Sequence, residues 1–481
     1  MSFRRSLSVS ALSQLIAFLL SFASVIVVSR LLTPEEIGIF SVSVAVLGMA
    51  HILREFGVGQ YLVQAHRIGA QERRAAFTVS IITAWFLAAL LFIVRHPLAA
   101  FYGHDGVAEV LALLAINFLI MPFGTPLLAL MRRDLQFGRI AIGHISGAVA
   151  NASVTIGAAL MGESYLSMAW GAIASHIVKA SVLNMMRPGE IFMMPTLKGI
   201  GGVLRFGSVA SLASVVKELG SSAPDLIFGR TLGFSEVALY SRAVGLKRML
   251  LQRLVGLVRG VHFPTFARSL REGGDAAKLY GQTMNYLVAV VAPVLAFMAI
   301  MAGPLILFLF GDQWTRSVPI ASMLCLYTVL TTPYMLYSAS LTAAGKVTLV
   351  LKVEFMAQGV LVLVLMSSIW LPLEQVAALL ILAFSVEALV AQVALRNAFG
   401  LTFSDLLRAI WPACRLIPFS VLGPLLVMLF AGHLAVDEMS RFVVLLFGSI
   451  LFVAGWLLGV FYVGHPIADE VRLLYRKIRR Q

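Results

Sequence analysis

The sequence predicts an all-α polytopic membrane protein of about fourteen transmembrane helices, built as two parallel six-helix repeats plus two C-terminal helices. Three observations carry this reading. Of the 481 residues, 60% are hydrophobic and 12% are charged, whereas a soluble chain is about a quarter charged. Runs of eighteen or more mostly apolar residues recur, each long enough to cross a bilayer. They are continuous, not alternating as barrel strands are. The third observation is a duplication. Arg30-Leu-Leu-Thr-Pro-Glu-Glu-Ile-Gly-Ile-Phe-Ser41 returns 200 residues later as Arg230-Thr-Leu-Gly-Phe-Ser-Glu-Val-Ala-Leu-Tyr-Ser241. Arg30/Arg230, Leu32/Leu232, Glu36/Glu236 and Ser41/Ser241 are identical in register.

The register extends upstream, where Ser8, Val9 and Leu12 face Ser208, Val209 and Leu212. Downstream it resumes with small slips. Pro97, Leu98, Phe101 and Gly103 answer Pro304, Leu305, Phe308 and Gly311, and Pro122 answers Pro333. Apolar segments written twice over are a transporter pattern.

In chain order, helices are expected near 7–29, 37–57, 75–94, 107–130, 140–161, 165–186, 203–228, 236–260, 281–310, 317–340, 347–370, 374–395, 407–432 and 441–463. The first follows Arg4-Arg5, as a signal peptide or twin-arginine leader would. Its apolar run continues to about Val28 and many spans follow, so a first transmembrane helix is the simpler reading. The offset between repeats equals six helices. An even number preserves direction, so the repeats are parallel about an axis along the membrane normal. This gives an N-terminal bundle over 1–198, a C-terminal bundle over 199–400, and two extra helices with a basic cytoplasmic tail over 401–481.

Orientation follows from Lys and Arg in the loops. With the N-terminus placed in the cytoplasm, inner loops and tail hold about 23 such residues and outer loops 5, namely Arg30, Arg95, Arg230, Arg316 and Arg441. One helix more or less would scramble this alternation. Both termini are therefore expected in the cytoplasm. A net charge of +14 would suggest nucleic acid on a soluble chain, but here it sits in short loops on one side.

Nine basic residues fall inside helices: Arg54, Lys179, Lys217, Arg242, Lys247, Arg248, Arg253, Arg259 and Arg415. A charge at helix centre costs roughly 2.5–3.5 kcal/mol on insertion scales, so a cluster needs water, a counter-ion or a ligand. The helix near 236–260 carries five of the nine. Arg242, Arg248, Gln252, Arg253 and Arg259 fall within roughly 140° of arc, and Lys247 sits off it. Such a face suits a cavity wall for a phosphate or another anion. Arg259, near the inner end, is read more simply as snorkelling. The candidate substrate-binding set is Arg54, Lys217, Arg242, Lys247, Arg248 and Arg253, with Arg54 within one residue of Arg253 in the repeat register. Glu218 and Asp225 are read first as charge partners of neighbouring cations, and second as groups that could couple transport to protons. Arg30 and Arg230 are candidate paired structural elements of an outer gate, with Glu36 and Glu236 as their candidate partners. Lys179 with His176, and Arg415, stand apart as local or snorkelling residues.

The motifs of nucleotide hydrolysis, zinc proteases and serine hydrolases are missing. Ala344-Gly345-Lys346 lacks the preceding glycine of a phosphate loop. Cys325 and Cys414 lie in different apolar segments without a metal or disulfide spacing, and read as small buried hydrophobes. Neither an enzyme nor a cofactor or metal is implied.

Ser29-Arg-Leu-Leu-Thr-Pro-Glu-Glu-Ile-Gly-Ile-Phe40, Phe56-Gly-Val-Gly59 and Leu62-Val-Gln64 resemble the opening of the oligosaccharide flippases. These are the Wzx-type polysaccharide transporters of the multidrug/oligosaccharidyl-lipid/polysaccharide superfamily. Pro97-Leu-Ala-Ala-Phe-Tyr-Gly103 and Leu130-Met-Arg-Arg-Asp-Leu-Gln-Phe137 resemble later family stretches. The resemblance covers the first 140 residues by motif and the rest by topology. It implies movement of a polyprenyl-diphosphate-linked sugar repeat across the bacterial inner membrane by alternating access, for exopolysaccharide or lipopolysaccharide synthesis. Its implied partners are that lipid-linked oligosaccharide, the bilayer and a polysaccharide polymerase complex. The rival reading is a drug or small-molecule cation antiporter of the same superfamily. Such a site would lean on intramembrane acids, here Glu55, Glu218, Asp225, Glu354 and Glu387 against the nine cations. A lipid-modifying enzyme and a scaffold for polysaccharide assembly are further readings.

Overall fold

The computed structural model describes residues 3–55, 62, 69–188, 195–196, 200, 219–431, 437–470 and 472, with backbone alone for 3–11, 52–55 and 431. Every regular element among them is a helix. Among the described residues ten helices are long and apolar enough to span a membrane, and the pair Phe403–Cys414 and Leu416–Phe430, bent by 45°, brings the number to eleven. Fourteen were expected. The spans near 37–57 and 236–260 form as helices Pro34–Glu55 and Phe234–Arg271; side chains of the first are described only to His51, and the second carries Arg242, Lys247, Arg248, Arg253 and Arg259 along its length. Most of the span near 203–228 lies outside the described residues.

Besides the bent pair near 407–432, three expected helices are broken. The one near 281–310 divides at Met301 into Ala276–Ile300 and Ala302–Phe310. The one near 107–130 becomes Gly106–Ile120, a 3-10 turn at Met121–Phe123, and Thr125–Arg133. The one near 317–340 becomes Ser317–Thr331, a 3-10 turn at Thr332–Tyr334, and Tyr337–Ala343. The last two breaks fall at the repeat-matched Pro122 and Pro333. Proline has no N–H and its ring displaces the preceding turn. In lipid the exposed carbonyls need a protein donor. Asn184 Nδ2 donates to the Phe123 carbonyl at 2.9 Å, and the Tyr280 hydroxyl to the Pro333 carbonyl at 2.8 Å. A third proline, Pro293, deprives the Ala289 carbonyl of its helical donor. The Trp456 indole N–H takes that place at 2.8 Å.

By packing, the chain forms two compact units, Met1–Ala238 and Leu239–Gln481. The expected division at 198/199 follows the sequence repeat, a different criterion. In the first unit, helix Phe137–Leu160 packs along Phe3–Leu31 and Leu166–Met186, and Gly106–Ile120 packs on Ala70–Tyr102. Small residues let these backbones approach. Gly147 faces Ser175 and Lys179, and Gly171 faces Thr155 so closely that a Cβ would overlap its side chain. Leu111, Leu114 and Phe118 lie in the core.

In the second unit, Ala276–Ile300 is central. It packs on Ser317–Thr331, Phe403–Cys414 and Leu416–Ala431. Tyr280, Met284, Leu287, Val291 and Leu295 are its buried stripe. Leu416–Ala431 and Glu438–Val463 pair along their lengths, with Gly455 set against the Phe419 backbone.

Candidate functional site

Helix Phe234–Arg271 continues for 38 residues, and its cations separate onto two faces. Arg248, Gln252, Arg253 and Arg259 are exposed. Lys247 turns the other way, into the second unit. Its Nζ donates to Thr328 Oγ1 at 2.9 Å, and the Thr328 hydroxyl donates in turn to the Leu324 carbonyl at 2.6 Å. Buried Cys325 lies beside this pair. Arg242 is held between aromatic faces, 5.7 Å from the Phe310 ring centroid and 5.3 Å from that of Trp314. Cation–π contact of this kind stabilises a desolvated guanidinium. The expected group therefore divides. Arg248 and Arg253 share the open face, while Lys247 and Arg242 are engaged in packing. An exposed pair of guanidiniums offers forked donors to phosphate oxygens. Thr328, some 81 residues from Lys247 in sequence, carried no signal of its own.

The two copies of the duplicated motif meet inside the first unit. A Cβ on Gly38 would overlap the Phe234 carbonyl oxygen, and one on Gly229 would lie 2.6 Å from Val42 Cγ2. Thr33 opens the first copy's helix as a capping box. Its N–H and hydroxyl donate to Glu36 Oε2 at 2.7 and 2.8 Å, and Glu36 N–H returns a bond to Thr33 Oγ1 at 3.3 Å. The Ser164 hydroxyl also donates to Glu36. Burial opposes ionisation of Glu36, but the bonds from Ser164 and Thr33 outweigh it and hold the carboxyl below its usual value. The second copy has Gly233 in place of Thr33, at φ 97°. That left-handed backbone favours glycine. Phe234 beside it packs near Tyr102 and His104, at 6.5 and 5.6 Å between ring centroids.

Glu36 and Glu236 were expected to pair with Arg30 and Arg230. The bonds recorded for Glu36 come from Thr33 and Ser164, and Arg230 lies 5.4 Å from the Phe101 ring centroid. Arg30 is exposed and Glu236 half-buried, and both take part in interactions of their own. The other arginines expected on the outer side are likewise tied down: Arg95 over Phe92 at 3.9 Å, Arg316 to Glu374 at 2.8 Å and Arg441 to Asp312 at 2.7 Å. Asp225 is half-buried. Lys217 and Glu218 lie outside the described residues, as does the Arg54 side chain. Lys179, expected to be isolated, falls within electrostatic reach of His144 and Arg132.

A family model described as "Polysaccharide biosynthesis protein" matches residues 27–319. Lipopolysaccharide biosynthesis protein WzxC of Escherichia coli (strain K12) is 21% identical over 325 residues, 66% of this chain and 65% of that protein. Succinoglycan biosynthesis transport protein ExoT of Rhizobium meliloti (strain 1021) is 23% identical over 342 residues, 71% of this chain and 69% of that one. The solved structure titled "Lipid II flippase MurJ, inward closed conformation" shares the fold. Its TM-score is 0.70 at 11% identity, covering 94% of this chain and 99% of that chain.

Proposed function

This chain belongs to the polysaccharide biosynthesis protein family, and on that footing we propose that it is a flippase for polyprenyl-diphosphate-linked oligosaccharide. It carries the repeat unit across the bacterial inner membrane by alternating access, toward exopolysaccharide or lipopolysaccharide. It is a transporter and not an enzyme, in keeping with relatives named for polysaccharide biosynthesis and transport. Both termini face the cytoplasm, and a polysaccharide polymerase complex receives the product.

The observation that carries this reading is the exposed face of Arg248 and Arg253 on a helix whose Lys247 and Arg242 turn into packing. A diphosphate needs forked cationic donors, and the polyprenyl tail can remain in lipid. A cation antiporter would instead present acids on the open face of that helix. Arg54 and Lys217 are proposed to add to the anion site, and Glu218 and Asp225 to balance its charge. Arg30, Glu36, Arg230 and Glu236 are proposed as structural parts of an outer gate.

The test is the leaflet in which lipid-linked oligosaccharide accumulates when the gene is deleted. Build-up on the inner leaflet, relieved by the wild-type chain, is expected. Absence of any build-up would sink the proposal.

A further inference from the structure

We propose that the short helix Phe403–Cys414 lies in the bilayer interface and that its outer face binds an anionic phospholipid. Arg408 and Arg415 hold the headgroup phosphate, and Phe403, Leu407 and Trp411 line the upper acyl chain. The helix opens on a capping box, in which Thr402 and Asp405 each engage the other's backbone N–H. One side of it is core. Leu406, Ile410 and Ala413 are buried at helical spacing. A Cβ on Gly281 of the central helix Ala276–Ile300 would lie 2.8 Å from Ala409 Cβ, so the two helices pack closely on that side.

The other side is open. Phe403, Leu407 and Trp411, at i, i+4 and i+8, are 61%, 42% and 58% exposed. Arg408 and Arg415 stand further round, beyond Trp411, and both are exposed. Being seven residues apart they share one edge, separated by about 10 Å along the axis. Asp405 comes within 3.8 Å of Arg408, but its Oδ2 is engaged by the Thr402 N–H. Two guanidiniums against one carboxylate leave this face an excess of positive charge, set beside an aromatic and aliphatic strip.

Length separates this helix from the span that follows. Phe403–Cys414 and Leu416–Ala431 have 12 and 16 residues. End to end they measure ~42 Å, against a hydrocarbon core of about 30 Å, so one end must lie beyond the core. Every exposed side chain described on Leu416–Ala431 is apolar, Leu422, Leu425, Leu429 and Phe430 among them, as contact with acyl chains requires. The excess length therefore falls on Phe403–Cys414, which is bent by 45° from its neighbour and carries the arginines. Tryptophan indoles and arginine heads settle at a bilayer interface. A guanidinium forks onto phosphate oxygens, and each cation near the surface draws lipids of net negative charge. A zwitterionic headgroup has no net charge to answer the excess. Lipid binding here needs no transport, so it stands apart from the flippase reading.

Tryptophan fluorescence of the full-length protein in lipid nanodiscs tests it. Two discs of the same phosphatidylglycerol and phosphatidylcholine content differ only in which lipid is brominated. The difference between wild type and Trp411→Phe isolates the signal of Trp411. That signal should be quenched more strongly by brominated phosphatidylglycerol. Arg408→Gln and Arg415→Gln should each lower the preference by about five-fold, the worth of one cation at an anionic surface. The double variant should erase it, and Arg408→Lys, which keeps the charge, should retain most of it. Equal quenching by the two lipids in the wild type overturns the proposal, as does a preference that survives in the double variant. So does its loss on adding farnesyl diphosphate at constant ionic strength, which would give the face to a polyprenyl diphosphate.

Discussion

Helices Pro34–Glu55 and Phe234–Arg271 begin alike and diverge. Each follows a copy of the same motif, and where they begin the two copies lie in contact through Gly38 and Phe234. Further in, Val42, Leu47, Gly48 and Leu53 stand where the second helix has Arg242, Lys247, Arg248 and Arg253. Val42 and Leu47 are buried in the first unit. The contact between the copies thus falls in the part kept alike, and the added charge of the second helix falls in the part that diverged. A position constrained by backbone contact has little freedom to change. A position on an open face can acquire a ligand.

The largest expected effect strikes the diverged half. Replacing both Arg248 and Arg253 by Ala removes two sets of charge-assisted hydrogen bonds to phosphate, each worth about 1.5–3 kcal/mol. Polysaccharide export should fall by about 100-fold or more, with normal protein in the membrane. Lys247→Met should leave export near wild type, because Lys247 faces Thr328. If the two effects were equal, the division of the cations into two faces would be wrong.

The next effect strikes the shared half. Gly38→Val forces a side chain into the Phe234 backbone and should cost about 1–3 kcal/mol by overpacking. The matched Ala238→Gly should cost at most about 1 kcal/mol through helix propensity. Thermal unfolding in detergent measures both. Equal losses would show that the copies are not distinguished by close approach.

The proline breaks sharpen the comparison by using unlike donors at like positions. Tyr280→Phe and Asn184→Leu should each cost about 1–3 kcal/mol, the penalty for a buried carbonyl left unpaired. A loss from only one would mean the two breaks are not equivalent.

The smallest effect concerns the capping box found in one copy alone. The Glu36 carboxyl is held below its usual value in the folded chain. Its contribution is present above the unfolded value and lost as pH falls through the folded value. The melting temperature of the wild type should exceed that of Glu36→Gln at neutral pH, and the gap should close in acid. A gap independent of pH would remove the carboxylate from the account.

Much of this was legible in the sequence. The repeat register located Pro122 opposite Pro333, and helical spacing placed Lys247 off the arc of Arg248 and Arg253. The breaks at those prolines were not expected, because the apolar runs pass through them without interruption. Donors such as Tyr280 and Asn184 lie 53 and 61 residues from the carbonyls they serve, and periodicity within one helix carries no information about them. The same holds for the bond from the Tyr337 hydroxyl to Glu354, whose 17-residue separation spans a helix boundary. Of the three expected spans beyond the eleven, those near 37–57 and 203–228 lie partly or mostly outside the described residues, and the one near 236–260 carries too much charge for a test based on hydropathy.

The bond from Trp456 to the Ala289 carbonyl sets an order of events in synthesis. Its partners are 167 residues apart, so Pro293 leaves the ribosome and its helix enters the bilayer long before the indole exists. Until the last helix is translated, that carbonyl has no permanent donor in a solvent that offers none. A chain truncated before Trp456 keeps that carbonyl open in the central helix of its second unit.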